Sequence, residues 1–398
     1  MLSIAEAWEQ VAAAIGGPLE AERIRLEEAA GRVVAEEARS AVDLPPFDRS
    51  AMDGYAVRAA DTQPGVPLQL AGELAAGDVA TAPLAPGTVA GITTGAALPD
   101  GSDAILRSES AEVANGSVTP SEAVAPGLYV RYRGEDLREG DVLARPGERL
   151  TLPLMSALAS AGVGEVAVHR RPAVHVIATG SELLPIGAPP EPGRIHESNR
   201  LTLRIMAERG GGLVTDHGVI ADEPGATREA VAAGLEGDVL VVSGGVSVGP
   251  HDHVKPAFDA CGVEEVFWRV SMKPGKPLFF GRRGSTLVFG LPGNPLSTIA
   301  GFMLFIEPAL RRLGGEAGAL PHWRRARLRA SASASDGRST LLTSRLVRAE
   351  DGVLEAAPTE RQGSHMTGAL GESDGFVLVH PSDGVLPAGA EVDALVLD

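Results

Sequence analysis

The chain has 398 residues and a formal net charge of −17, which gives room for several cores and argues against general nucleic-acid binding. Its one cysteine, Cys261, excludes an intrachain disulfide and suits a reducing compartment. No apolar run reaches membrane-spanning length and the N-terminus lacks a basic leader, so a cytoplasmic protein with no membrane or nucleic-acid partner is expected.

Ile4, Trp8, Val11 and Ile15 recur at helical spacing and predict a first amphipathic helix, closed by Gly16-Gly17-Pro18. A second helix is expected over residues 26–38. In residues 44–57 two prolines forbid a regular start, and Asp48, Arg49, Ser50, Asp53 and Tyr55 crowd polar groups among Phe47 and Met52. That mixture predicts an irregular, partly buried loop that serves as a ligand or partner surface. Residues 65–141 alternate short strands with turns, a small β-rich domain. There Thr93-Thr94-Gly95 either exposes hydroxyls at a rim or merely ends a strand, and residues 131–136 read as a surface turn. A helix over residues 152–161 would return the chain toward the first helices.

At Arg171-Pro172 strands begin to alternate with helices: strand 173–179, helix 199–208, strand 213–220, helix 226–235, strand 239–242. This pattern implies right-handed crossovers and a parallel sheet. The centre is Val239-Leu-Val-Val-Ser-Gly-Gly-Val-Ser-Val-Gly-Pro-His-Asp-His253, a buried strand running into a Gly/Ser loop and then a carboxylate at a helix start. Such a build suits an oxyanion or phosphate at the end of a parallel sheet. The P-loop pattern fails because Pro250-His251 stand where Lys-Ser/Thr are needed. Gly245-x-Ser247-x-Gly249 matches the hydrolase nucleophile elbow, although Ser247 lies five residues beyond Val242 rather than on the strand-end turn.

Glu182, Asp222 and Asp252 each follow a strand, so all three should gather at the sheet's carboxyl edge; helix caps are the competing account. Lys273 and Lys276 flank a Pro-Gly turn, and in so acidic a chain two lysines beside a Gly/Ser loop favour an anion. The rigid Gly290-Leu-Pro-Gly-Asn-Pro-Leu-Ser297 loop precedes an apolar helix over residues 298–310, with Asn294 and Ser297 able to donate at its start. For His251 and His253, ordinary polar contacts are favoured over a metal. After Gly314-Gly315, strands over 322–335, 339–348, 353–356, 375–380 and 392–397 predict a small β-barrel or sandwich.

Seven segments appear in order between about residues 45 and 300: FDRSAMDGYAVRAAD, ITTGAALPDGSDAI, YRGEDLREGD, IATGSELL, SGGVSVGPHDHVK, MKPGKPLFFG and GLPGNPLST. Together they closely resemble the molybdopterin molybdenumtransferase family, which includes the E domain of gephyrin; Arg361-Gln-Gly-Ser-His and Leu386-Pro-Ala-Gly-Ala-Glu-Val resemble that family's last domain. The resemblance implies a multidomain α+β and α/β chain, an elongated L-shaped subunit. Its parts would be a helical linker domain (1–44 plus 141–170), a β-rich domain (45–140), a parallel-sheet α/β molybdopterin-binding domain (171–315) and a C-terminal β-barrel (316–398). It implies insertion of molybdate into adenylylated molybdopterin with Mg2+ and release of AMP. It also implies a homodimer whose sites are completed by the loop of the other subunit, and contact with an upstream molybdopterin adenylyltransferase.

Carried over residue by residue, the family's acidic and hydroxyl positions fall on Asp53, Thr94, Asp136, Glu182, Asp222 and Asp252, and its rigid prolines on Pro292 and Pro295. On this reading Lys273, Lys276, Ser243, Ser247 and Ser297 hold molybdate. Gly244, Gly245 and Asn294 line the substrate, while Glu182 and Asp252 bind the metal with Asp222 beside them. His196-Glu197, Arg107-Ser108, His251 and His253 depart from the family's usual residues. A fold retained for scaffolding and a serine hydrolase using Ser247 are the other classes of function open to the sequence.

Overall fold

The computed structural model describes residues 1–246, 252–335 and 337–397. Ser247, Gly249 and His251 therefore lie outside the described residues, and with them the serine of the elbow pattern.

The first helix, Ile4–Ala14, starts where expected. Ser3 and Glu6 form a reciprocal capping box, the Ser3 Oγ accepting from the Glu6 N–H at 3.2 Å and Glu6 Oε2 accepting from the Ser3 N–H at 2.8 Å. Its Ile4, Ala7, Trp8 and Val11 face does not join the neighbouring N-terminal elements. It is buried in one core with Val174, Val176, Leu203 and Phe305 of the later α/β region.

The helix expected over 26–38 is absent. The chain instead runs as a strand, Ala21–Arg25, antiparallel to Glu165–His169, and then makes one 3-10 turn, Leu26–Glu28. Gly31 takes a left-handed φ of 72°, and Val33 and Val34 bridge to Arg149 and Val168. A glycine that breaks the helical path, followed by two β-branched residues, outweighs the apolar spacing of this segment. The helix Leu152–Ser160 packs on Leu26, Val34 and Val166 and not on the first helix.

Residues 44–57 are more regular than expected, because Arg49–Ser50 and Gly54–Val57 are strands. Gly54–Val57 pairs antiparallel with both Thr88–Ile92 and Ala104–Arg107 inside a six-stranded sheet, completed by Leu68–Leu74, Ser117–Pro120 and Ala111–Ala114. This is the β-rich unit read from the sequence.

The α/β region holds a six-stranded sheet in the order Leu213–Ile220, Ala173–Thr179, Val239–Ser243, Thr286–Leu291, Phe279–Arg283, Glu264–Trp268. The first four strands pair in parallel, and the last two join the sheet through antiparallel pairings. Only two residues separate Arg283 from Thr286, enough for a hairpin but far too few for a crossover, so this edge cannot be parallel. Every residue of Val239–Ser243 is buried, as a central strand covered on both faces requires. The helix after the proline loop begins at Pro295, three residues earlier than expected, and runs through a π turn at Phe302–Ile306 to Leu313.

In the C-terminal region the stretch 322–335 is two strands, not one: Trp323–Leu328 and the short Ala332–Ser333. Trp323–Leu328, Leu354–Pro358, Ser339–Arg348, Gly375–Val379 and Glu391–Val396 pair in a closed ring, so this part is a five-stranded barrel and not a sandwich. Met272–Lys273 pairs alongside Ser339 and Thr340, which ties the lysine turn to the barrel. Among the described residues no helix is long and apolar enough to cross a membrane.

Candidate active site

The carboxyl ends of the parallel strands open into a cavity of about 1010 Å³, ample for a nucleotide-sized ligand. Val239–Ser243 delivers the Gly244-Gly245 turn to its floor. Both glycines have left-handed backbones, φ 96° and 64°, and the turn is held by the Gly244 N–H donating to the Leu291 carbonyl at 2.9 Å. A β-carbon at Gly244 would sit 2.6 Å from the Thr179 carbonyl oxygen, and one at Gly245 the same distance from Val254 Cγ2. The sequence therefore keeps bare backbone against the cavity at this point.

Glu182, Asp222 and Asp252 all line this cavity, as their positions after three strands led us to expect. Capping does not account for them. The helices that follow Asp222 and Asp252 have Glu223 and His253 as N-caps, with no side-chain cap bond at either. Asp222 turns instead across the strand ends, its Oδ2 accepting from the Ser181 N–H at 2.8 Å while its own N–H donates to Ser181 Oγ at 3.3 Å. Ser243, Pro292, Asn294 and Pro295 complete the predicted lining.

Other predicted residues lie elsewhere. Ser297 is buried outside the lining, and Asn294, although the N-cap residue of its helix, makes no side-chain cap bond; its Nδ2 donates 3.0 Å to Ser364 Oγ on the barrel. The leading proline supplies the start of that helix, which frees Asn294 for the barrel contact. Lys273 is half-buried and Lys276 exposed, and neither lines the cavity, although the adjacent Pro277 does. Asp53 and Thr94 meet each other in the β-rich region: Asp53 Oδ1 accepts from the Thr94 N–H at 2.6 Å and from its hydroxyl at 2.8 Å. These two donors, the backbone one first, hold the Asp53 carboxyl below its ordinary range. Asp136 is exposed, its N–H donating to the Leu44 carbonyl at 3.0 Å.

Several lining residues carry no signal that sequence reasoning picks out. Asn199 is buried and donates from Nδ2 to Ser243 Oγ at 2.9 Å and to the Gly293 carbonyl at 2.7 Å, so one amide joins two site loops. Thr179 Oγ1 is buried beside the Gly244-Gly245 turn and has no hydrogen-bond partner among the described residues. Glu197, 4 % exposed, receives the Arg200 N–H at 2.7 Å. From the barrel come His365, Thr367 and Leu370. Only the Arg361–His365 motif points this way, and it speaks for family likeness rather than for position.

The electrostatics are one-sided. Glu182, Glu197, Asp222 and Asp252 face the cavity, and no lysine or arginine is among its described lining residues. An anionic ligand enters such a space only with a compensating cation.

Comparison with known proteins is decisive. The model of the MoeA N-terminal region (domain I and II) matches residues 2–162, that of the probable molybdopterin binding domain residues 175–312, and that of the MoeA C-terminal region (domain IV) residues 325–397. A molybdopterin molybdenumtransferase from Haemophilus influenzae is 34% identical over 98% of this chain and 98% of its own length. The chain belongs to the molybdopterin molybdenumtransferase family. A second family member, molybdopterin molybdenumtransferase 2 of Mycobacterium tuberculosis, is 36% identical over 73% of this chain and 75% of its own. The crystal structure of a molybdopterin biosynthesis MoeA protein from Pyrococcus horikoshii superposes with a TM-score of 0.85 at 32% identity, covering 100% of this chain and 99% of that one. The family resemblance drawn from the seven ordered motifs therefore holds across the whole chain.

Proposed function

We propose that this transferase inserts molybdate into adenylylated molybdopterin and releases AMP, forming the molybdenum cofactor. The observation that carries this reading is the convergence of Glu182, Asp222 and Asp252 on one cavity beside the bare Gly244-Gly245 turn. The turn's backbone approaches a ligand phosphate closely, Thr179 offers a hydroxyl with no partner among the described residues, and Asn199 keeps the two loops in register.

The donor set fits Mg2+. Among the described residues no group of three or more His, Cys, Asp or Glu side chains is close enough to hold an ion without other ligands. Magnesium suits that arrangement, since it takes one or two carboxylates and draws its remaining ligands from phosphate oxygens and water. Glu182 and Asp252 would hold it. When bound it offsets the anhydride's negative charge and polarises the phosphorus. Asp222, steadied by Ser181, keeps the second loop in place, and Lys273 and Lys276 meet the molybdate beside Pro277.

Asp53 and Thr94 do not line the cavity of their own chain, which supports a homodimer in which this pair completes the partner's site. Incubating the protein with adenylylated molybdopterin, molybdate and magnesium, and measuring AMP and cofactor, tests the reading. Cofactor without AMP, or neither product, would refute it.

A further inference from the structure

A second cavity, of about 310 Å³, lies between the N-terminal strands and the α/β region and shares no lining residue with the strand-end site. Residues 31–33 and Arg149 form one wall, and residues 170–172, 208–211 and Leu310 the other. Arg32, Arg149, Arg170, Arg171, Arg209 and Arg311 all line it. In a chain of net charge −17, six arginines around one small cleft need counter-charges.

Four carboxylates supply part of the balance. Glu22 meets Arg32 at 2.5 Å, and Asp238 and Glu20 each meet Arg170 at the same distance. Glu316 alone serves both Arg149 and Arg311. Six guanidinium groups against these four carboxylates leave a surplus of two positive charges. The two carboxylates in the lining itself are engaged by arginines outside it, Glu28 by Arg25 and Glu208 by Arg204 at 3.8 Å. The helices Asn199–Arg209 and Glu307–Leu313 end here, and each C-terminus brings about half a negative charge, so the helix ends offset only about one of the two.

The surplus is located on particular side chains. Half-buried Arg171 meets no carboxylate: its Nε donates to the Gly211 carbonyl at 3.0 Å and its Nη2 to the Gly212 carbonyl at 2.6 Å. Two neutral carbonyls orient this guanidinium without neutralising it, and its Nη1 has no partner among the described residues. Arg209, exposed at the end of its helix, has no partner among the described residues either. A guanidinium half-buried without a counter-charge destabilises the fold unless an anion meets it. The cleft is at the lower end of the size range for small-ligand sites and less than a third of the strand-end cavity, too small to enclose a whole nucleotide. Guanidinium donors fit phosphate oxygens with paired, charge-assisted hydrogen bonds.

We propose that this cleft binds a phosphate group through Arg171 and Arg209, and that the bound anion braces the N-terminal strands against the α/β region. The site is separate from the strand-end cavity, and the proposal stands apart from the reading given under Proposed function.

The test uses the full chain, with inorganic phosphate, pyrophosphate and AMP as separate probes, followed by calorimetry and by hydrogen exchange. Arg209→Gln and Arg209→Lys are compared with the parent, and Arg348→Gln removes an equal charge on the barrel, where Arg348 bonds the Gly352 carbonyl. Binding should slow exchange at residues 28–33 and 208–211 and raise the melting temperature. Arg209→Gln should weaken binding about tenfold, with Arg209→Lys in between and Arg348→Gln equal to the parent. Tighter binding of phosphate or pyrophosphate than of AMP identifies a free phosphate as the occupant; the reverse identifies a phosphomonoester whose remainder stays outside the cleft. No binding by the parent, equal affinity of parent and Arg209→Gln, or equal weakening by Arg348→Gln overturns the proposal. Slowed exchange confined to residues 179–183, 244–245 and 292–295 overturns it as well, since the anion would then lie in the strand-end cavity.

Discussion

Glu316 offers a quantitative test of how the N-terminal strands are fixed to the α/β region. Its Oε2 accepts from Arg149 Nη2 at 2.5 Å and Arg311 Nε at 3.0 Å, and its Oε1 from Arg311 Nη2 at 2.5 Å. Burial alone would raise its pKa, but the two guanidinium groups outweigh burial and hold the carboxyl at about 2, against an ordinary 4.5. The side chain is 17% exposed, so solvent screens little of this. The difference between 4.5 and about 2, at about 1.4 kcal/mol per pH unit, comes to about 3 kcal/mol. The folded pKa is the depressed one, so this stability is fully present above pH 4.5 and is lost as the pH falls toward about 2. Glu316→Gln should therefore cost about 3 kcal/mol at pH 7 and only about 1.4 kcal/mol at pH 3, while leaving turnover at 25 °C unchanged. Urea unfolding of both proteins at the two pH values measures the gap. A gap independent of pH would show that the arginines do not hold the Glu316 carboxylate as described.

Asp252→Ala should fold normally and lose AMP release, which a coupled AMP assay on a variant with native circular dichroism will show. Gly245→Val forces a β-carbon to within 2.6 Å of Val254 at a left-handed backbone, so it should lower stability by about 1–3 kcal/mol and abolish turnover; an unaltered melting temperature would contradict the turn geometry. Lys276→Ala should raise the molybdate concentration for half-saturation about tenfold, and an unchanged value places the anion elsewhere. Mixing Asp53→Ala with Asp252→Ala should restore activity on subunit exchange, because one site of each mixed dimer then carries neither lesion; continued inactivity despite proven exchange argues for sites internal to one chain.

The part of the site legible in the sequence is the part that follows from local order along the chain. A carboxylate two or three residues after an apolar strand has little freedom, so the sequence alone suffices to place Glu182 and Asp222 at one sheet edge, whereas Asp252 reaches the same cavity from nine residues beyond Ser243, at the start of the next helix. Gly244-Gly245 is readable for the same reason, since consecutive glycines at a strand end announce a backbone that side-chain-bearing residues rarely adopt. The failures have equally definite causes. Residues 26–38 carry a helical apolar spacing, but pairing of Val33 and Val34 with Arg149 and Val168 depends on partners more than a hundred residues away. The antiparallel edge is hidden because alternation of strands and helices suggests crossovers throughout, whereas the short link from Arg283 to Thr286 permits only a hairpin.

Arg269 shows the remaining gap most clearly. In sequence it is one arginine before two lysines, and the lysines stand out because a Pro-Gly turn visibly fixes them. The structure shows Lys273 half-buried in the turn that joins the barrel, and the Arg269 guanidinium 4.0 Å from the centre of the Trp268 indole, with no carboxylate partner among the described residues. Nothing local predicts its left-handed backbone, at which the strand ends at Trp268 while the Arg269 N–H bonds back to the Leu278 carbonyl and the Val270 N–H to the Lys276 carbonyl. The same logic applies to the barrel residues His365 and Thr367, whose place at the cavity depends on the Asn294–Ser364 contact across 70 residues. Residues fixed by a strand end can be read from a sequence. Those fixed by how two distant segments meet require the fold, and at this site they include Asn199, His365 and Thr367.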